Sequence, residues 1–264
     1  MPKYLILLIF LFSGHLSAQN LRVNVFDEHE LHLKYSRSYS VAWQIFQMAA
    51  NNADIQLIPY NEVWIRSISF LKQHKGVNVV FGAMPSEQRK AWTTFSAPLA
   101  VEHIAAYAKH DSPYSSFSAL KSNKHIVNLG VTRGSIHQDL AKEFGFKYIH
   151  AFTDRNKVFE MLDAGKVDAL IYTHALTSFY CGKFKNVKNN QCLKQLDKPI
   201  QNSTLHFMFN ISDQTTALAV EKIQHQIKPL VEGNILQKLF KETGYTSDDY
   251  LFWQTKYKQW LIEK

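Results

Sequence analysis

Apolar positions along the 264-residue chain switch repeatedly between two spacings. Short apolar runs of strand length occur at LRVNVF (21–26), IQLIPY (55–60), VNVVFGA (77–83), EHIAAYAK (102–109), HIVNLGVT (125–132), VDALIY (167–172) and STLHFMFNI (203–211). Between them, apolar residues return every three or four positions, the helical spacing. Residues 38–52 place Val41, Ile45, Met48 and Ala49 on one face, with Ser38 or Ser40 available as cap. Residues 61–73 do the same with Val63, Ile65, Ile68 and Leu71, and 155–165 predicts a further helix. Two helices are expected near the C-terminus, 213–231 and the WQTKYKQWLIEK segment. Strands alternating with helices predict an α/β protein with mixed, mainly parallel sheets. The nearly unbroken apolar run 77–83 predicts a strand buried on both faces.

Composition and charge narrow the setting. The first residues, MPKYLILLIFLFSGHLSAQN, put Lys3 before an apolar run at 4–12 and then small residues, the pattern of a signal peptide (1–18) cleaved near Ala18. An exported, periplasmic protein is therefore expected, and no cysteine lies there to carry a lipid anchor. Cys181 and Cys192, an even pair in an oxidising compartment, flank the polar loop GKFKNVKNNQ and favour a disulfide closing a short loop. Without a C-x-x-C pair, neither a redox nor a zinc site is expected. Thirty basic against 22 acidic residues give a formal charge of +8. The lysines are spread along the chain apart from Lys183, Lys185 and Lys188, which reads as a solvated face and not as a nucleic-acid surface. The string HELH (29–32) is not H-E-x-x-H and is expected in a loop, so no metal and no cofactor is expected.

One arginine stands out. FGAMPSEQRKAWTTFSAPL (81–99) delivers Arg89 just beyond the carboxyl end of the strand 77–83, where ligands bind in open α/β sheets. Its planar five-donor fork fits a carboxylate in bidentate fashion. Gly134 and Ser135 lie where the strand 125–132 turns into a helix, so the hydroxyl and the first free amides can meet the same anion. Ala83 and Met84 would present backbone groups near Arg89, and Arg133 would add charge. Trp64 and Arg66 on the helix 61–73, and Tyr35 and Tyr39, are further candidates to line or cover a ligand.

Three stretches, in order, carry a family resemblance. SEQRKAWTTFSAPL (86–99) is similar to T-x-E-R…F-S-x-P-Y, LGVTRGSIHQDL (129–140) to G-V-x-x-G-T, and VFEMLDAGKVDALIY (158–172) to L-x-x-G-x-V-D-A followed by apolar residues. Over 21–245 the chain resembles the periplasmic solute-binding proteins of the type II fold, the amino-acid-binding (family 3) group of ABC importers. The resemblance implies two α/β lobes joined by a two-strand hinge near 104–109 and 200–206. The first lobe would be 21–106 plus 204–264 and the inserted second lobe 109–200, with a small-molecule ligand held between them for a membrane permease or a membrane sensor. It implies binding without catalysis. In that family an acid shortly after the V-D-A strand takes the ligand's ammonium, whereas here the place reads IYTHALTS, with Tyr172 and Thr173. A carboxylated or otherwise anionic solute, gripped by Arg89 and Ser135 from opposite lobes, is therefore expected over an α-amino acid. A dehydratase-like enzyme on the same fold would need an acid or base in the cleft, with Glu62, Glu102 and Asp168 as candidates.

Overall fold

Strands and helices alternate as the two spacings require, in a computed structural model that describes residues 19–187 and 191–263. The expected signal peptide and Lys188 lie outside the described residues. The first part of the chain comprises β1 (Gln19–Phe26), α1 (His29–Tyr35), α2 (Arg37–Asn52), β2 (Ile55–Glu62), α3 (Trp64–Lys72), β3 (Val79–Ala83), α4 (Glu87–Lys90), β4 (Thr94–Phe95) and β5 (Ala100–Ala108). The middle comprises α5 (Phe117–Ser122), β6 (Asn128–Thr132), α6 (Ile136–Glu143), β7 (Tyr148–Phe152), α7 (Arg155–Asp163), β8 (Ala169–Thr173), α8 (His174–Lys185) and β9 (Lys194–Phe209). Four helices follow, α9 (Gln214–His225), α10 (Ile227–Glu232), α11 (Ile235–Glu242) and α12 (Ser247–Glu263).

Among the described residues the strands run in the order β2-β1-β3-β9-β5-β8-β6-β7, with β4 paired to β9. Each wing is parallel inside, β2-β1-β3 on one side and β8-β6-β7 on the other, because helices carry the chain from strand to strand. Every antiparallel pair involves β5 or β9. β9 spans 16 residues, pairing with β5 along its first part and with β3 at Phe207–Phe209, so these two strands join the wings. The result is a two-winged α/β fold with its carboxyl strand ends facing a central gap.

β3 is buried throughout, as its sequence predicts. Phe81 from β3 meets Tyr39, Trp43 and Phe46 of α2, and Phe46 stacks on Phe207 of β9 at 4.3 Å. Each such aromatic, fully withdrawn from water, contributes about 1.5–3 kcal/mol. The Cys181–Cys192 disulfide is formed, with Cα atoms 5.4 Å apart, and pins the last turns of α8 to the start of β9.

Several elements depart from expectation. HELH is not a loop: it opens α1, and His29 and His32, three apart, occupy the buried face that apolar residues usually mark. The helix expected at 213–231 is two helices, because Pro229 has no N–H to continue the ladder from α9. The chain then forms α11 before α12, so four helices fill the C-terminus instead of two. β9 starts at Lys194, well before 203, since its polar first part, in which Leu196 is buried, pairs with β5 through its backbone. β7 is a strand where no element is expected. No helix among the described residues is long and apolar enough to cross a membrane.

Candidate functional site

Between the wings lies a narrow cavity of about 40 Å³, so that a bound small molecule would require the two walls to part. One wall comes from the first wing, with Phe26, Tyr39, Trp64, Gly82, Met84 and Arg89. The facing wall is built by Thr132, Ser135, Ile136 and His137 at the β6–α6 turn, Arg155 at the start of α7, and Thr173, Ala175 and Leu176 at the start of α8. Glu102 and Leu205 reach it from the joining strands β5 and β9.

Arg89 follows from the local sequence. β3 ends, Ser86 caps α4 by accepting the Arg89 amide at 3.4 Å, and the short helix turns the side chain back into the gap. The guanidinium is 6% exposed. Its Nη1 donates to the Met84 carbonyl at 3.0 Å and its Nη2 to the Gly134 carbonyl of the opposite wall at 3.1 Å, while the Trp64 ring lies 5.3 Å beneath it. Burial pulls its pKa down, partly offset by the more distant Asp139. No described carboxylate forms an ion pair with it. A desolvated guanidinium held only by neutral carbonyls has the chemistry to accept an anion.

The opposite wall presents Gly134 with φ +67°, a left-handed conformation that glycine adopts without strain, and a Cβ there would stand 2.6 Å from Ile65 Cδ1. The close approach lets Trp64 Nε1 also donate to the Gly134 carbonyl at 3.2 Å. Ser135 N-caps α6 by position, but its hydroxyl donates to the Thr132 carbonyl at 2.7 Å instead of receiving a helix amide. An incoming anion would therefore require the hydroxyl to rotate away from that carbonyl. Thr173 caps α8 through its side chain, which accepts the Leu176 amide at 3.3 Å.

Trp64, Met84, Arg89, Ser135 and Thr173 thus come together around one cavity, and Gly134 contributes its carbonyl at the edge. Several expected residues lie elsewhere. Ala83 is wholly buried beside the wall that its neighbour Gly82 forms. Arg133 turns outward, donating to the Ala151 carbonyl at 3.1 Å, because its own amide continues the β6–β7 ladder through Phe152. Tyr172 sits beneath the cavity, its hydroxyl bonded to Thr132 Oγ1, because successive β8 side chains alternate and Thr173 takes the inward place. Arg66 pairs with Glu62 at 3.2 Å and is largely solvated. Tyr39 lines the cavity, whereas Tyr35 packs where Gly182 leaves room. Asp168 accepts the Asn128 amide at 2.7 Å, a bond that holds β6 to β8.

Comparisons with known proteins now bear on the fold. No protein-family model matches the chain, and no curated protein sequence does. Solved structures do. The arginine-, lysine-, histidine-binding protein ArtJ from Geobacillus stearothermophilus superposes with a TM-score of 0.69 at 18% identity, over 88% of this chain and 99% of that one. The fold is that of the periplasmic binding proteins. A histidine kinase sensor domain similar to periplasmic binding proteins matches with a TM-score of 0.67 at 16% identity, over 85% of this chain and 96% of that one. The ancestral amino-acid-binding protein AncCDT-1, a precursor of cyclohexadienyl dehydratase, matches at 0.64 and 18%, over 85% and 95%.

In this binding-protein fold the site holds three groups that sequence reasoning did not name, Phe26, Arg155 and His137, and a fourth, Glu102, that it named only as an acid or base for a dehydratase-like enzyme. Phe26 ends β1 and stacks on Tyr39 with ring centroids 4.9 Å apart. Arg155, on α7, lies 3.8 Å over the Phe26 ring and 3.3 Å from Asp27. His137 is buried with neither ring nitrogen bonded, and desolvation, with Arg89 and Arg155 nearby, pushes its pKa down to about 3. Glu102 is 2% exposed on β5; it accepts Ser38 Oγ at 2.6 Å and the Ala175 amide at 3.3 Å, and burial raises its pKa. A charge inside the apolar run AVEHIAAYA was the one available signal for Glu102. For Arg155 the linear sequence holds none.

Proposed function

We propose that this protein captures a small carboxylated solute in the gap between two lobes and performs no chemistry on it. The first lobe comprises residues 21–106 and 204–264, the second 109–200, and β5 and β9 form the hinge. Arg89 takes the carboxylate in bidentate fashion, and the Ser135 hydroxyl with the first amides of α6 completes the grip from the second lobe. The observation that carries this reading is the buried Arg89 guanidinium, which spans the gap to the Gly134 carbonyl yet has no acidic partner among the described residues. That carbonyl occupies the place an anion would take. A ligand that pairs Arg89 and is touched by both lobes favours the closed arrangement through its differential contacts.

Export to the periplasm, with cleavage near Ala18, and delivery to an ABC-type permease complete the proposal; it agrees with a fold shared with amino-acid-binding proteins. A sensory role, presenting the bound solute to a membrane receptor, is the second reading, supported by the likeness to a kinase sensor domain. A thermal-shift screen of amino acids, mono- and dicarboxylates and sugar acids tests the function. A carboxylate that raises the melting temperature of the wild type and not of Arg89→Ala supports it. Ligands that stabilise both proteins equally contradict it, and turnover of a bound compound would make the protein an enzyme.

A further inference from the structure

The remaining polar groups of the cavity narrow its ligand, on the reading that Arg89 holds a carboxylate. Glu102 is the one carboxylate lining the cavity among the described residues, and its oxygens are engaged. Oε2 accepts Ser38 Oγ at 2.6 Å, and Oε1 accepts the amides of His103 at 2.9 Å and Ala175 at 3.3 Å. An ammonium entering here would find that acid occupied, and would face the positive charges of Arg89 and Arg155. Arg155 is already balanced by Asp27 and covers Phe26.

His137 is different. It is 3% exposed, stacked on Tyr172 with centroids 4.7 Å apart, and both ring nitrogens are buried without a partner. It stands two residues beyond Ser135, beside the place of the carboxylate, and its imidazole stays neutral, offering one donor and one acceptor. A hydroxyl also offers one of each. A ketone would leave one nitrogen unpaired, and a hydrocarbon both. Apart from the hydroxyls of Tyr39, Thr132 and Thr173, which are bonded within the protein, the rest of the wall, including Phe26, Trp64, Ile136, Leu176 and Leu205, is apolar.

We infer that the cavity takes a 2-hydroxy acid with an apolar side chain: carboxylate on Arg89 and Ser135, hydroxyl on His137, hydrocarbon among Phe26, Trp64 and Leu176. His137 is then the residue that selects the group on C2.

Calorimetric titration of the secreted protein with acids that differ only at C2 tests this. The probes are 3-phenyllactate, phenylalanine and 3-phenylpropionate, with 2-hydroxy-4-methylpentanoate, leucine and 4-methylpentanoate as an aliphatic series. In at least one series the hydroxy acid should bind about tenfold or more tightly than both its partners. His137→Phe should erase that preference, and His137→Gln, which keeps a donor and an acceptor, should retain it. The inference falls if the amino acid or deoxy acid binds as well as the hydroxy acid, if none binds, or if the preference survives in His137→Phe. Should a variant not fold, the ranking in the wild type decides. Arg89→Ala separates the two claims. Undiminished binding of the hydroxy acid there would overturn the role of Arg89, whereas Arg89-dependent binding of some other carboxylate would overturn only the role of His137.

Discussion

Two arginines reach the same cavity and meet opposite fates. Arg155 is 3.3 Å from Asp27, lies flat over Phe26, and comes within 3.5 Å of His32, which itself stacks on Phe179 of α8. Its charge is balanced and its guanidinium is part of the packing between the wings. Arg89 is as deeply buried but rests on two backbone carbonyls and a tryptophan ring. Burial disfavours an uncompensated charge, so such a group persists where something brings the missing partner. On the proposed function, the contrast separates an arginine that joins the wings from one whose partner would be an anion.

This contrast can be broken or sharpened by experiment. The largest effect concerns the frame of the Arg155 corner, where the disulfide pins α8: Cys181→Ala with Cys192→Ala should cost about 3 kcal/mol and lower Tm by roughly 5–10 °C in calorimetric scans. Equal melting of the reduced and oxidised wild type would contradict it. Next, Arg155→Ala should lose about 1–3 kcal/mol in denaturant unfolding, through lost packing and an unpaired Asp27, while changing solute affinity about threefold or less. Arg89→Ala should show the reverse emphasis, at least about tenfold in affinity, or about 1.4 kcal/mol. If the two variants exchanged their phenotypes, the assignment would be inverted.

The smallest effect is on pH. His137, at about 3, and His206, at about 4, are both held below their ordinary pKa by burial. The unfolded chain therefore takes up protons first as pH falls. Stability is full above about pH 6.5 and is lost below it toward the folded values. Between pH 7 and 6 the two together should cost about 1 kcal/mol, read by denaturant titration at each pH. Stability that rises over this interval would contradict the neutral imidazoles.

How far the sequence could be read depended on whether a signal was local. The buried strand β3 and the turn at Gly134 are local patterns, and they pointed to Arg89 and Ser135, whereas Thr173 was reached only through the family resemblance. Tyr172 and Arg133 were adjacent in sequence but turned away, since side-chain direction on a strand is fixed by register, which one linear run does not reveal. Phe26, Glu102, His137 and Arg155 come from four separate segments and converge only through the topology of the sheet. The HELH helix escaped notice because histidines filled its buried positions. β9 escaped in part because the joining strand is polar where it leaves the second wing.

The central claim is most directly tested by a crystal structure of the protein with a carboxylate found in the screen. Two carboxylate oxygens within about 3.2 Å of the Arg89 nitrogens, with the Gly134 carbonyl released from Nη2, are the predicted result. An anion seated against Arg155 or outside the gap, with Arg89 still bound to Gly134, would contradict it.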